Sequence, residues 1–330
     1  MSISINQAYM AKIKGISFAS PSKEISNEYL SERFSKWTPE KIYSKTGIRK
    51  RYIASQEETA ADLAITAAEN LFSEEGIDRG CVDMLIFVSQ TPNQIIPTTA
   101  CEIHCQLRLE TSCGAFDVNQ GCSGYIYGLM IASSIIDSGA ASNVLLLTGD
   151  TYSKLIHETD ASLLTLFGDG ASATLISRDT ESFSPSIGPF LFGTDGSKAS
   201  SMHCYTGGFK SRDNQDRNLR MDGADIISFA LEKIPTAVNT YLKMHTKTFE
   251  DYDYVLLHQA SKLILDRLHE KMAITDKGVT DLEDTGNTVS SSLPCVLAKR
   301  FNSKKFRNKK ILLVGFGVGL SWGVCSINYL

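Results

Sequence analysis

Apolar runs punctuate the chain, and two of them, VDMLIFVSQ and NVLLLTGD, are apolar at successive positions, as expected of strands buried on both faces. Residues 10 to 18 and the runs ASATLIS, YVLLHQ and ILLVGFG read as further strands. Between them lie segments of helical period. Thr59 to Glu74 places Leu63, Ala64, Ala67, Ala68, Leu71 and Phe72 on one face and stops at Gly76. Helices are also expected at Asn27 to Lys36, Thr99 to Leu107, Ala224 to His245, ASKLILDRLHEKM and SSSLPCVLAKRF. Residues 151 to 169 read as an irregular excursion, and about 181 to 220 as loops and short strands.

The order repeats. In each half a turn with glycine first and a small residue third, GCSG or GNTV, opens a helix that leads to an apolar strand. Cys122 and Asn287 therefore hold equivalent places in a duplicated α/β unit, whose pseudo-twofold symmetry would turn both helix starts towards one site. No linker separates independent domains. The expected division is residues 1–178, carrying the cysteine, and 179–330, carrying a histidine and the asparagine.

The segment AFDVNQGCSGYIYGLMIASSIIDSG has the outline of a nucleophile elbow. An extended run breaks at Gly121, presents the Cys122 thiol and enters a helix, whose positive N-terminal end would favour the thiolate. A buried structural cysteine requires neither turn nor helix start. His258 ends a buried strand in VLLHQAS. A lone histidine there is ordinarily structural, but strand carboxyl ends are where open α/β sheets build sites, which makes His258 and Asn287 the natural partners of Cys122.

Length and composition add limits. With 330 residues, 42% apolar and 21% charged, the chain can bury a sizeable core. No apolar run reaches the roughly 18 residues of a membrane span, and the N-terminal residues lack the apolar core of a signal peptide, so a cytoplasmic protein is expected. Eight sparse cysteines suggest reduced thiols, and CEIHC fits an amphipathic helix better than a metal site. A net charge of −4 gives no reason to expect nucleic acid. Basic residues concentrate in 41–51 and 300–310, ordinarily solvated faces. GFGVGL is followed by no acidic residue at dinucleotide spacing and FGDG lacks a phosphate-loop lysine, so no cofactor is expected.

TGIRKR, PTTA, NQGCSG, FGDGASA, LLHQAS, TGNTVSSSLP and GFGVGLSWG occur in an order and spacing that resembles the β-ketoacyl-[acyl carrier protein] synthase III family of the thiolase superfamily. The resemblance spans essentially the whole chain. It implies an α/β thiolase-like fold, internally duplicated in five α-β-α-β-α layers, and a catalytic set of Cys122, His258 and Asn287. Cys325 does not resemble the second catalytic cysteine of thiolases proper. By the same resemblance, Cys122 takes an acyl group, malonyl-acyl carrier protein loses CO2, and the resulting enolate attacks the acyl carbon. Backbone N–H groups of Cys122 and Val318 would form the oxyanion hole, and His258 and Asn287 would hold the enolate. The family also implies a homodimer in which Ile96 closes the neighbouring acyl pocket.

Departures from the family pattern bear on the donor. A tryptophan and an arginine that grip the adenine of coenzyme A are replaced by Lys41 and Ala161. Ser261, Leu263 and Val318 also replace residues common in relatives. An acyl carrier protein would lose nothing by these changes, and Lys41, Lys45, Arg49 and Lys262 would offer it a basic docking surface. The alternatives are an acyltransferase passing the Cys122 acyl group to an amine or hydroxyl, and an idle partner subunit. An intact Cys-His-Asn set argues against the last.

Overall fold

The structure, a computed structural model, describes residues 11–178, 185–209, 217–301 and 308–329. The first part of the chain runs β1 (Lys12–Ala19), β2 (Lys23–Ser26), α1 (Asn27–Arg33), α2 (Pro39–Thr46), β3 (Lys50–Ile53), α3 (Ala60–Glu75) and β4 (Met84–Val88). It continues with α4 (Thr99–Gln106), β5 (Gly114–Val118), α5 (Gly124–Asp137), β6 (Asn143–Asp150), α6 (Ala161–Leu164) and β7 (Gly170–Ser177). The second part holds β8 (Ser186–Thr194), β9 (Met202–His203), β10 (Arg220–Met221), α7 (Gly223–Met244), β11 (Tyr254–Leu257) and α8 (Lys262–Lys271). After these come β12 (Gly278–Val279), α9 (Ser292–Val296), β13 (Lys310–Gly317) and β14 (Ser321–Asn328).

Two five-stranded units carry the duplication. Their strand orders, β5-β4-β6-β7-β1 and β12-β11-β13-β14-β8, have matching directions: the first three strands of each unit run parallel, and the last two pair antiparallel. The pair Lys12↔Ser186 joins the units edge to edge. Because consecutive side chains on a strand point to opposite faces, each doubly buried strand feeds two cores. Leu85 and Phe87 face a core shared with α3 and α4, whereas Ile86 and Val88 face one shared with α5 and α9. In the second unit Val255 and Leu257 pack towards α7 and α8, while Leu256 joins the α5–α9 core. Two outer cores, and a central one that surrounds α5 and α9 between the two strand units, thus fill the four interfaces of five layers. Among the described residues no helix is long and apolar enough to cross a membrane.

Several elements differ from the sequence reading. The helix begun at Asn27 ends at Arg33, and a second one, α2, was not anticipated. Its ends carry ordinary signals: Thr38 caps the Lys41 N–H, Pro39 occupies the first turn, and Gly47 adopts φ +73° beyond Thr46. The segment RKRYIA supplies β3, paired with β2. β8 is a nine-residue strand inside the stretch expected to be loops and short strands; Gly188 and Pro189 disguise it. Pro294 lies in the first turn of α9, where it costs little, and the segment continues as π-helix to Phe301. The expected division after residue 178 abuts 179–184, outside the described residues, as do 302–307 of the C-terminal basic stretch.

Candidate active site

Cys122 lies in the turn between β5 and α5, where the Gly124 N–H donates to the Gly121 carbonyl at 2.7 Å. The end of β13 lies directly against it. A Cβ at residue 317 would stand 2.7 Å from the Cys122 Cβ and 2.9 Å from Sγ, and one at 315 would stand 2.9 Å from the Ser123 Cα. Gly315 and Gly317 of GFGVGL therefore serve close approach to the cysteine turn. Backbone N–H groups of Val318 and of Cys122 itself face the sulfur.

The expected lowering of the thiol pKa is not found. Burial, reinforced by the nearby Asp150 carboxylate, pushes Cys122 up to about 12, outweighing the two N–H donors. A helix start favours a thiolate, but full removal from water disfavours it more. The free site holds a thiol.

His258 follows β11, and its N–H donates to the Val314 carbonyl at 2.7 Å. Its Nδ1 lies 2.6 Å from the Ser292 Oγ, and the Phe316 ring meets the imidazole edge-on at a centroid distance of 5.6 Å. Burial holds the imidazole pKa at about 3, so the ring is neutral near pH 7.

Asn287 is set by its backbone. Its N–H donates to the Leu166 carbonyl and its own carbonyl accepts from Gly168, at 3.0 and 3.1 Å. Residue 168 must be glycine, because a Cβ there would come within 2.2 Å of the Thr285 carbonyl oxygen; Gly286 next to the asparagine has φ +68°. The Asn287 Oδ1 accepts the Val289 N–H at 3.0 Å, while Nδ2 has a long 3.4 Å contact to the Ala260 carbonyl. The amide therefore keeps N–H capacity for a ligand.

FGDG and TGIRKR have a structural task that local pattern does not reveal. Fully buried Arg51 reaches the carbonyls of Ile25 and Thr165 and the Asn27 side chain, under the turns at 168 and 286. Asp169 receives the N–H groups of Ala54 and Ser153. These contacts brace the cysteine-bearing half beneath the asparagine turn, and the backbone bonds of Asn287 to Leu166 and Gly168 tie that turn to it.

Cys122, His258 and Asn287 line one cavity of about 190 Å³, whose wall is mostly apolar, with Phe167, Met202 and Ile226 among its residues. Trp37, Lys45, Thr46 and Ser162 also line it. The proposed docking cations differ in setting. Lys41 and Lys45 lie 5.3 and 5.0 Å from the Trp37 ring, whereas Arg49 is paired with Glu283 and Lys262 with Asp266. Ile96 is 83% exposed in the loop before α4 and is not among the cavity residues. In CEIHC, His104 bonds the Glu110 carbonyl, and Cys101 and Cys105 are exposed. Sequence reasoning missed Ser292, Phe316 and Asp150; only the fold brings them to the site.

A duplicated, five-layered α/β fold that gathers a cysteine, a histidine and an asparagine in one cavity defines a condensing enzyme of the thiolase-like class. Within that class the chain belongs to the 3-oxoacyl-[acyl-carrier-protein] synthase III family: residues 116–196 match the family of that description, and 242–329 its C-terminal counterpart. It is an enzyme of the acyltransferase group. It is similar to a β-ketoacyl-[acyl-carrier-protein] synthase III of Lactococcus lactis subsp. cremoris, 33% identical with 96% of this chain and 99% of the relative covered. A crystal structure of a 3-oxoacyl-(acyl-carrier-protein) synthase III is 40% identical, with a TM-score of 0.92 over 97% of this chain and 99% of that one. The priming β-ketosynthase of the R1128 polyketide biosynthetic pathway is 27% identical, with a TM-score of 0.88 over 100% of this chain and 99% of that one.

Proposed function

We propose that the chain catalyses decarboxylating condensation of an acyl group held on Cys122 with malonyl-acyl carrier protein, giving a 3-oxoacyl-acyl carrier protein in fatty-acid initiation or a related acyl pathway. One observation carries the reading: the Cys122 thiol, a neutral His258 and the Asn287 amide line the same buried cavity. In the first half-reaction Cys122 sulfur attacks the donor thioester carbonyl. The thiol proton ends on the departing thiolate, and the developing oxyanion is held by the N–H groups of Cys122 and Val318.

In the second half-reaction the bond to the malonyl carboxylate breaks and its electron pair forms an enolate as CO2 leaves. N–H donors of His258 and Asn287 receive the enolate oxygen. The enolate carbon then bonds the acyl carbon, and Cys122 departs and regains a proton. A neutral imidazole suits this task, since an imidazolium would protonate and quench the nucleophile.

Residues 1–178 and 179–330 are proposed as the halves contributing the cysteine and the His-Asn pair. Acyl carrier protein is the proposed partner, docking near Lys41, Lys45, Arg49 and Lys262. The working protein is proposed to be a cytoplasmic homodimer in which exposed Ile96 enters the neighbouring subunit's acyl pocket. The deciding experiment is CO2 release from malonyl-acyl carrier protein by the pre-acylated enzyme, with the 3-oxoacyl product identified by mass. Acyl transfer to an amine or hydroxyl without CO2 would replace condensation by simple acyl transfer.

A further inference from the structure

The side chain behind the imidazole is a hydroxyl where a carboxylate would be the commoner histidine partner. Ser292 Oγ lies 2.6 Å from His258 Nδ1, and both residues are almost fully buried, 2% exposed each. Ser292 sits in the first turn of α9, in the helix that follows the asparagine turn, so the contact reaches across the fold from one catalytic element to another. The main chain and the ring of His258 are each held further. The backbone N–H of His258 is bound to Val314, and the Phe316 ring packs edge-on at 88°.

A neutral imidazole has one N–H and one lone pair, and whichever role Nδ1 plays, the opposite nitrogen must play the other. A carboxylate at Nδ1 can only accept. It would place the ring proton on Nδ1, leave Nε2 as an acceptor, and stabilise the imidazolium. A serine hydroxyl can donate. If it donates to Nδ1, the proton resides on Nε2, which is then an N–H donor without carrying a full charge. Burial is the cause of the low imidazole pKa, and no charged neighbour contributes to it.

We propose that Ser292 is a positioning residue for the condensation step: its hydroxyl donates to His258 Nδ1, fixes the neutral Nε2–H tautomer, and so makes the imidazole a donor to the enolate oxygen. The proposal rests on the condensation reading above. Its specific content is that the second half-reaction depends on Ser292 and the first does not. Acylation of Cys122 uses the backbone donors at Cys122 and Val318, which Ser292 does not touch.

The test has two arms, both on the full-length enzyme. Selectively ¹⁵N-labelled histidine in the wild type reports which ring nitrogen carries the proton, with the His258 signals assigned by their loss in His258→Gln. Protonated Nε2 and unprotonated Nδ1 near neutral pH are expected; a proton on Nδ1 would mean that Ser292 is the acceptor, and would overturn the proposal independently of any Ser292 variant. In the second arm Ser292→Ala and Ser292→Cys are acylated by the donor, freed of excess donor and mixed with malonyl-acyl carrier protein. CO2 release is expected to fall about 10- to 100-fold in Ser292→Ala, the range found when the hydrogen-bond partner that orients a metal-ligating histidine is removed. Acyl-enzyme formation should change less than about threefold, and Ser292→Cys, with its weak S–H donor, should fall between alanine and wild type. Equal losses in both half-reactions, or unchanged CO2 release in Ser292→Ala, would overturn the role of Ser292. Absence of CO2 release from the wild type would instead remove the condensation reading itself, so the two failures are distinguishable.

Discussion

The Asp150 carboxylate, at the end of β6, accepts both the backbone N–H and the hydroxyl of Ser290, three residues beyond Asn287. It also accepts the Gln90 N–H at 2.8 Å. One buried acid thus clasps the cysteine-bearing half to the turn that presents the asparagine.

Stability should depend on that acid in a definite direction. Burial raises Asp150 from 3.8 to about 7, against the pull of its three hydrogen bonds, and raises Asp169 to about 6. The folded state therefore binds these protons more tightly than the unfolded chain does. The contribution is fully present below about pH 4 and is lost as pH rises through about 6 to 7. Urea midpoints measured from pH 4 to 8 should show Asp150→Asn losing part of the wild-type decline across this window. Parallel profiles for the two proteins would assign the slope elsewhere.

Cys122 should be the acylated residue. Intact-protein mass spectrometry after incubation with an acyl thioester is expected to show one adduct, absent in Cys122→Ala. An adduct of equal yield on exposed Cys101 or Cys105 would contradict the assignment. Because burial keeps the thiol protonated, the adduct should form far faster with a thioester that fits the cavity than with a small alkylating agent at the same concentration.

His258→Ala and Asn287→Ala should lose condensation by about 10²- to 10³-fold, the cost of one missing oxyanion donor, while losing less of self-acylation. Separate measurement of acyl-enzyme formation and CO2 release checks this. Equal losses would indicate that the pair activates the thiol.

The donor preference should follow the entrance residues. Acyl carrier protein thioesters are expected to acylate Cys122 with higher kcat/KM than the matching coenzyme A thioesters, with an advantage that shrinks as salt rises. Lys41 and Lys45 carry more of this expectation than Arg49 and Lys262, which already have acidic partners. Trp37 among the cavity residues offers a competing surface for adenine stacking. A salt-insensitive preference for coenzyme A that disappears in Trp37→Ala would assign the donor site to that ring.

Light scattering at micromolar concentration is expected to report a homodimer, and Ile96→Glu to shift the accepted acyl-chain length. A monomer would remove Ile96 from the neighbouring pocket.

The sequence by itself determined the alternation of strands and helices and the duplication, because each is written in local signals, and it named Cys122, His258 and Asn287 as candidates; the five layers were implied by the family resemblance. Apolar runs such as NVLLLTGD reveal strands buried on two faces, and the GCSG and GNTV turns reveal equivalent helix starts. The topology bears out that equivalence: β5 and β12 precede the two turns, and β6 and β13 follow them. The tertiary structure decided what local signals cannot carry. Ser292 meets His258 across 34 residues and Asp150 meets Ser290 across 140, and neither serine differs in sequence from its neighbours in SSS. The state of the thiol was decided there too. A helix start is legible along the chain, but the desolvation that keeps Cys122 protonated is the sum of β13, α5 and the cavity wall closing around one sulfur atom.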